Sequence, residues 1–460
     1  LLKVPEMIGG AIDNRTLGGL LTDRFLLAGL SIPVFLHLLN GAAFYFPSVP
    51  QITTVVLAGP YFSEHGLFSG FSKLKLYFYP AFIGFAFLTS RQISFSFWFF
   101  FLAGSLLYGL LNVFGFIIPA SELGVTFGPT LSRPEEMQMI GAYGVFFLFL
   151  VWLARHHLSE VVQSSFFLKK VPAGRTEWID VRLSFWGMVI GMAAIVLWYM
   201  KMGMTVPTAM LVVASFFMIM IVATRIICQG GIAYFTLTAA PLDGLLALFG
   251  TKLFAGVNGL LAGMTQKTLF VDLRESLMPS LVHGRKVHHG IAPALLLFGG
   301  LVATVVVSLA SSFIAMMTMC YQYGMRELNQ DWATRTTVTV YENIFRLVTS
   351  PPDSGGWVFT FAASGGLLML FLVVAYHRFY WWPIHPIGYL TAYSSAMRIL
   401  WLSFFIGWAC NALCMRYGGI RFFRKFQFFF VGLIIGDFLM GGSWAIVGLF
   451  ADIGYQVLPD

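Results

Sequence analysis

LSFWGMVIGMAAIVLWYM (183–200) and VPTAMLVVASFFMIMIVAT (206–224) contain no charged residue. At 1.5 Å per helical residue, each is long enough for the ~30 Å hydrocarbon layer of a bilayer. Residues 94–118, 290–320 and 356–376 read the same way, and 426–450 does so apart from Asp437. A β-barrel would show polar and apolar residues alternating every second position, which these runs lack. The chain is therefore expected to be all-α, a polytopic transmembrane helical bundle.

The composition agrees. Charged residues are 10% of the 460 and hydrophobic residues 58%, with a mean hydropathy of +0.80. The polar stretches are loop-sized, so a single integral membrane domain over 1–460 is expected. Leu at position 1, with no signal peptide, is expected of a chain that begins inside a longer protein. The net charge of +8 reads as cytoplasmic loop charge. No basic stripe interleaved with aromatics points to nucleic acid. The four cysteines lie in or beside apolar segments and read as small buried hydrophobes. Cys410 and Cys414 share a helix face but have no further soft ligands nearby, so no metal is expected.

Candidate spans fall at 25–46, 76–89, 94–118, 139–154, 183–202, 206–226, 290–320, 356–376, 400–415 and 426–450. Two broken apolar regions, 230–264 and 383–399, bring the expectation to ten to twelve membrane segments. The excess of Lys and Arg puts 155–182, 267–286 and 416–425 on the cytoplasmic side. The acidic loop 120–138 and the tail 451–460 suit the outside. Lys73 and Lys75 are the misfit, because the count places them outside. A multi-pass protein of the cell's plasma or inner membrane is expected.

Two segments echo each other. YPAFIGFAFLTSRQISFSFWFFFLAG starts at Tyr79, and HPIGYLTAYSSAMRILWLSFFIGWAC starts at His385. Each has Pro shortly before Ile-Gly-aromatic, then a polar stretch with one arginine, then an aromatic span with Trp. The topology count runs them in opposite directions, as an inverted repeat would. Repeat halves at 25–226 and 227–450 are expected. Shared aromatic composition is the alternative source of the likeness.

Residues 228–266 are apolar but interrupted by Gly230, Gly231, Pro241, Gly244, Gly250, Gly256 and Gly259. Transporters use unwound backbone at membrane depth to face solute and ions. Here Asp243 would be the protonatable group, with Lys252 or Arg225 as its basic partner. Gln229, Gly230, Gly231 and Asn258 would contact solute. Pro-Leu-Asp-Gly is equally a turn sequence, with Asp243 a helix cap at headgroup level. Asp437 lies inside an apolar span among glycines. It is either functional or a structural hydrogen bond to a neighbouring helix. His37 and Asn40 could line a cavity or bond across helices. The pairs His156-His157 and His288-His289 read as interfacial. No histidine pair sits at haem spacing, no P-loop is present, and no catalytic constellation is seen, so neither a cofactor nor an enzyme is expected.

Three stretches resemble the oligopeptide transporter (OPT) superfamily: 68–102, 270–300 and 415–448, the last with Tyr-Gly-Gly, a basic linker and a Gly-Asp span. The likeness is nearest to an uncharacterised prokaryotic OPT-like group. The Asn-Pro-Gly and Lys-Ile-Pro-Pro-Arg motifs of the peptide-transporting branch are missing. The resemblance implies proton-coupled uptake of a peptide or metal chelate. The expected partners are membrane lipid, protons and a small polar solute, with a second copy or other membrane-complex subunits as further partners. The alternative is a non-transporting accessory or scaffold subunit of a larger membrane complex.

Overall fold

Proline and glycine set where the helices begin and stop. The computed structural model describes residues 3–13, 17–63, 66–72, 74–115, 134–167, 180–232, 235–239, 241–270, 273, 276–287, 294–324, 338, 341–345, 356–451 and 454–457. Residues 120–133 of the expected outer loop, Lys73, most of the basic loop around Lys169, Lys170 and Arg175, and His288-His289 lie outside them. Helices α1 (Lys3–Asp13) and α2 (Leu17–Leu21) lead into α3 (Arg24–Tyr45). A two-stranded antiparallel hairpin follows, β1 (Val55–Leu57) and β2 (Lys75–Tyr77), with Val56 opposite Leu76. Then come α4 (Pro80–Leu88), α5 (Arg91–Val113) and α6 (Pro134–Phe167). A middle group follows: α7 (Val181–Lys201), α8 (Val206–Gly230), α9 (Pro241–Phe249), α10 (Val257–Phe270), α11 (Leu277–Val287) and α12 (Ala294–Tyr323). The described chain closes with α13 (Gly356–Arg378), α14 (Pro386–Thr391), α15 (Ser395–Leu413) and α16 (Gly419–Gly448).

This is an all-α polytopic bundle. Among the described residues, eight stretches are long and apolar enough to cross a membrane. The last, Ser395–Gly448, contains a reversal: a π-turn at Cys414–Gly418 and then Gly419 at φ +62° separate α15 from α16. Only glycine adopts such a φ without strain. Phe87 of α4 is gripped from both arms. Asn411 Nδ2 donates to its carbonyl at 2.7 Å, and its ring stacks on Phe430 at 3.7 Å.

The helices pair in a swapped pattern. Helices α3, α4, α5 and α6 form one unit, and α13, α14, α15 and α16 form the other. Helix α3 packs on α16, and α6 on α13; α4 packs on α15, and α14 on α5. At the centre α5 crosses α15, with Phe97 edge-on to Phe404 at 5.2 Å. The two run antiparallel, since Phe101 stacks on Trp401 while Phe95 meets Trp408. That is the geometry of an inverted repeat. The helices that pair in this way are α3–α6 and α13–α16, with α7–α12 between them in the chain. The outer pairs approach closely through glycine. A Cβ on Gly29 would overlap the Phe429 carbonyl, and one on Gly365 the carbonyl of Gln138. Between apolar helices in lipid, such close packing supplies the association energy.

Residues 76–89, expected as a span, are instead the end of β2 followed by the nine-residue α4. Tyr79 is extended, as a residue before proline prefers, so no helix runs through it. The region 383–399 is broken likewise, into α14 and the start of α15. One end of the bundle carries the hairpin. The other carries Arg24, Arg91 and the 416–425 cluster, since Phe25 meets Phe426 there. Among the described helices two bury little: 6% of the spanning window of α7, which lies against α6 and α8, and none of that of α12.

Candidate functional site

Helices α4 and α14 are short because each starts inside the bundle. Proline stands at the first turn of both, where its missing N–H costs nothing. The residue before each proline reaches across the pseudo-two-fold. Tyr79 N–H donates to Ser403 Oγ of α15 at 3.2 Å, and His385 N–H to Ser96 Oγ of α5 at 2.7 Å. Ser96 and Ser403 flank the Phe97–Phe404 crossing, so both half-helix N-termini open at one level. Ser96 lies six residues into α5 from its cap, about 9 Å at the helical rise.

The positive end of α4 meets Asp437. Its Oδ2 accepts from Ala81 N–H at 2.6 Å, and its Oδ1 lies 2.9 Å from His37 Nε2. Asp437 is 1% exposed and His37 3%. His37 Nδ1 faces the Tyr455 hydroxyl at 3.3 Å. Burial holds the Tyr455 phenol above its ordinary pKa, with the Asp437 charge adding and Asn40 opposing. The phenol is therefore protonated at neutral pH and donates to Nδ1, which leaves Nε2–H for the carboxylate. The result is a hydrogen-bonded chain: part-exposed Tyr455, His37, Asp437, then the N-terminus of α4. The carboxylate sits where a helix dipole favours negative charge. Trp444 Nε1–H donates to the His37 carbonyl at 3.1 Å and fixes that turn of α3.

The positive end of α14 has different chemistry. His385 caps its own helix, with Nδ1 accepting from Ile387 N–H at 3.2 Å. Nε2 lies 3.1 Å from the Gln229 amide. The facing atom is the Gln229 amide nitrogen; because an imidazole whose Nδ1 accepts carries its neutral proton on Nε2, the pair bonds once that amide is turned to present its oxygen. Tyr376 packs its ring at 4.6 Å from that imidazole. Tyr389 donates to Gln138 Oε1 at 3.0 Å, and Tyr143 to the Leu390 carbonyl at 3.2 Å. These bonds pin α14 to α6.

The residues singled out from sequence separate into three places. Gln229, Gly230 and Gly231 end α8 beside His385, with Gly231 at φ +66° closing the helix in the left-handed region. Arg225 is one turn back and exposed. Asp437 is at the other half-helix. Asn258 is remote: its Oδ1 accepts from Thr205 N–H at 3.0 Å and so caps the start of α8. The 21 residues from Thr208 to Gln229 put it about 32 Å from the Gln229 end. Asp243 is the third residue of α9, inside its first turn, and is fully buried rather than solvated. Next to it Leu242 N–H donates to Gln266 Oε1 at 2.6 Å, and Gln266 Nε2 is buried with no hydrogen-bond partner.

Sequence reasoning gave no site role to His385 or Tyr455. His385 had a signal, because it occupies the place of Tyr79 in the repeat. Tyr455 had none. Among the described residues, no three His, Cys, Asp or Glu side chains gather to hold a metal. No curated protein matches the chain, and no solved structure matches it. Residues 1–459 match a family of unknown function, DUF6785, and the chain belongs to that family.

Proposed function

We propose that the protein is a secondary active transporter of the plasma or inner membrane, coupled to protons, for a small polar organic solute, peptide or metal chelate. The observation that carries this reading is the pair of half-helices whose N-termini open at one level inside the bundle. Transporters built from inverted repeats place their sites at such ends. The resemblance to OPT carriers points the same way.

Asp437 is the coupling group in this reading. Ionised, it holds the N-terminus of α4 and accepts from His37. A proton arriving through Tyr455 and His37 would neutralise it and weaken both bonds. Helix α4 would then be free to shift against α15, and the swapped pairing would let the two units exchange their tilt. Asp243 is the second candidate for coupling. Gln229 and the backbone at Gly230 and Gly231 would meet solute at the α14 end. Asn258 has a structural role in this scheme.

A second reading has one observation behind it. Helix α12 is apolar, and among the described residues none of its spanning window is buried, which suits an accessory subunit that docks on a larger membrane complex.

Proteoliposomes carrying the full chain test the choice. Under an imposed pH gradient, with a mixture of small peptides and metal chelates, solute uptake is expected. Asp437→Asn should cut it at least tenfold. Uptake that ignores both the gradient and Asp437 would overturn the coupling scheme. Well-folded protein that moves no solute would favour the subunit reading.

A further inference from the structure

The short stretch GYQV (454–457) follows α16 and alternates as a half-covered extended chain does. Gly454 and Gln456 are exposed, Tyr455 is half-buried and Val457 is buried. The chain has turned back by this point and runs down the helix it has just left. Gly454 lies on Gly448, and a Cβ on Gly441 would stand 3.9 Å from the Val457 Cβ. From Gly441 to Gly448 the helix rises about 10 Å, and extended chain from Gly454 to Val457 covers about the same distance. The segment is therefore laid as a strap against α16, in step with two glycines that leave room for it.

The strap lies at the hairpin end of the bundle. Helices α3 and α16 run side by side, with Phe25 on Phe426 at one end and Tyr45 stacked on Trp444 at 5.7 Å at the other. Trp444 stands on Gly41, where a Cβ would overlap its indole. Tyr455 meets Trp444 edge-on at 5.6 Å and Phe44 at 5.9 Å. Beneath these rings lies His37, about 12 Å in from the end of α3 at the helical rise, and then Asp437. One side of the rim is tied down: Asn40 Nδ2 donates to the Ile52 carbonyl at 2.9 Å, and Asn40 Oδ1 accepts from Ile52 N–H at 2.8 Å. The strap is held differently. Among the described residues, no backbone hydrogen bond joins 454–457 to α3 or α16. Its polar anchor is the Tyr455 hydroxyl, set 3.3 Å from His37 Nδ1 and beside Asn40. A segment with so few bonds belongs to the part of a fold that opens at low free-energy cost.

We propose that residues 454–457 are a removable strap that closes the path from the hairpin end to Asp437, with Tyr455 as its latch on His37. Closed, it leaves His37 and Asp437 only 3% and 1% exposed. Lifted, it uncovers His37 Nδ1, the outer ring nitrogen of the hydrogen-bonded chain, and water reaches the imidazole whose Nε2 faces the carboxylate. The charge count places this end outside, so the strap sets when an external proton meets Asp437. Shielding by the strap stands independently of transport; that its opening admits the coupling proton rests on the transporter reading.

Histidine modification by diethyl pyrocarbonate on the purified full chain, read residue by residue by peptide mass spectrometry, tests the shielding. The reagent attacks the unprotonated ring nitrogen, which at His37 is Nδ1, the atom that Tyr455 covers. Tyr455→Ala should speed the reaction of His37 at least tenfold. His385, buried at the other half-helix, is the control and should keep its rate. An equal rise at His385 would mean general loosening and would overturn the strap. The second variant joins Gly441→Cys to Val457→Cys. Their separation falls in the range of about 3.5–4.5 Å between the Cβ atoms of a disulfide, so oxidation pins the strap with Tyr455 in place. His37 should then react at least tenfold more slowly in the oxidised protein than in the same protein reduced. Labelling of His37 that ignores both Tyr455→Ala and the lock would overturn the proposal. In proteoliposomes under a pH gradient, uptake of the peptide and chelate mixture that stops on oxidation and returns on reduction supports the strap as the proton gate. The two readings fail separately: uptake that survives the lock sinks the gate alone, and no uptake in either state sinks transport while the labelling still decides the shielding.

Discussion

The two half-helices share a backbone plan and differ in what meets their N-termini. Both start at Pro, both are tied by a backbone N–H to a serine of the opposite unit, and both open beside the Phe97–Phe404 crossing. At α4 the cap is a carboxylate brought from α16, backed by His37 and Tyr455. At α14 it is an imidazole from the preceding residue, backed by an amide from α8. The difference teaches that the repeat sets position while neighbouring helices set chemistry. One end holds a buried carboxylate; the other is satisfied by an imidazole and an amide.

The largest effect is expected where the charge sits. Asp437→Ala would leave Ala81 N–H and His37 buried without their acceptor. Breaking a buried pair in this way costs about 3–5 kcal/mol. Asp437→Asn keeps an oxygen for Ala81 N–H and lets His37 change tautomer, so its stability loss should be at most half as large. Thermal unfolding of the two variants in one detergent checks the order. Equal losses would mean that the oxygen kept by Asn recovers nothing and that the charge itself carries the stabilisation.

The α14 end should be less costly to disturb. His385→Ala removes one cap bond and the Gln229 contact, a loss of about 1–2 kcal/mol. His385→Asn restores a good cap but does not reach Gln229, so it should recover most of that stability. If His385→Ala costs as much as Asp437→Ala, the two ends are energetically alike and the contrast drawn between them fails.

Much of this was legible in the chain. Uncharged runs of 18 or more residues gave the spans, and the His-Pro and Tyr-Pro segments gave the inverted units. The hairpin did not show, because three-residue strands carry too little alternation to read. The matching of α3 to α13 did not show either. Helices α3 and α13 pair with equivalent partners but share no motif, since lipid-facing helices need only apolar side chains and a few glycines. Asp437 stood out as a lone acid, but its contacts come from residues 400 and 356 positions away, which no local pattern reports. Asn258 misled because it lay among helix breakers in sequence, whereas the length of α8 separates it from the Gln229 end in space.

The finest test of the symmetry is the serine pair. Ser96 Oγ and Ser403 Oγ each accept one N–H from the residue before a proline. A proline helix start leaves that preceding N–H with no partner inside the short helix, so each serine satisfies a group that lipid could not. Ser403 also donates to the Tyr77 carbonyl, whereas Ser96 donates within α5 to the Gln92 carbonyl at 2.7 Å. Removing Ser96 therefore costs one bond between the units, and removing Ser403 costs two. Ser96→Ala should lose about 0.5–1.5 kcal/mol, and Ser403→Ala somewhat more. Because the serines sit on opposite units, their effects should also couple. If α4 and α14 are seated by one shared crossing, the double variant will lose less than the sum of the two, since the first substitution already loosens what the second would release. Strict additivity would show instead that each half-helix is held on its own, and that the pseudo-two-fold is a relation of shape without mechanical linkage.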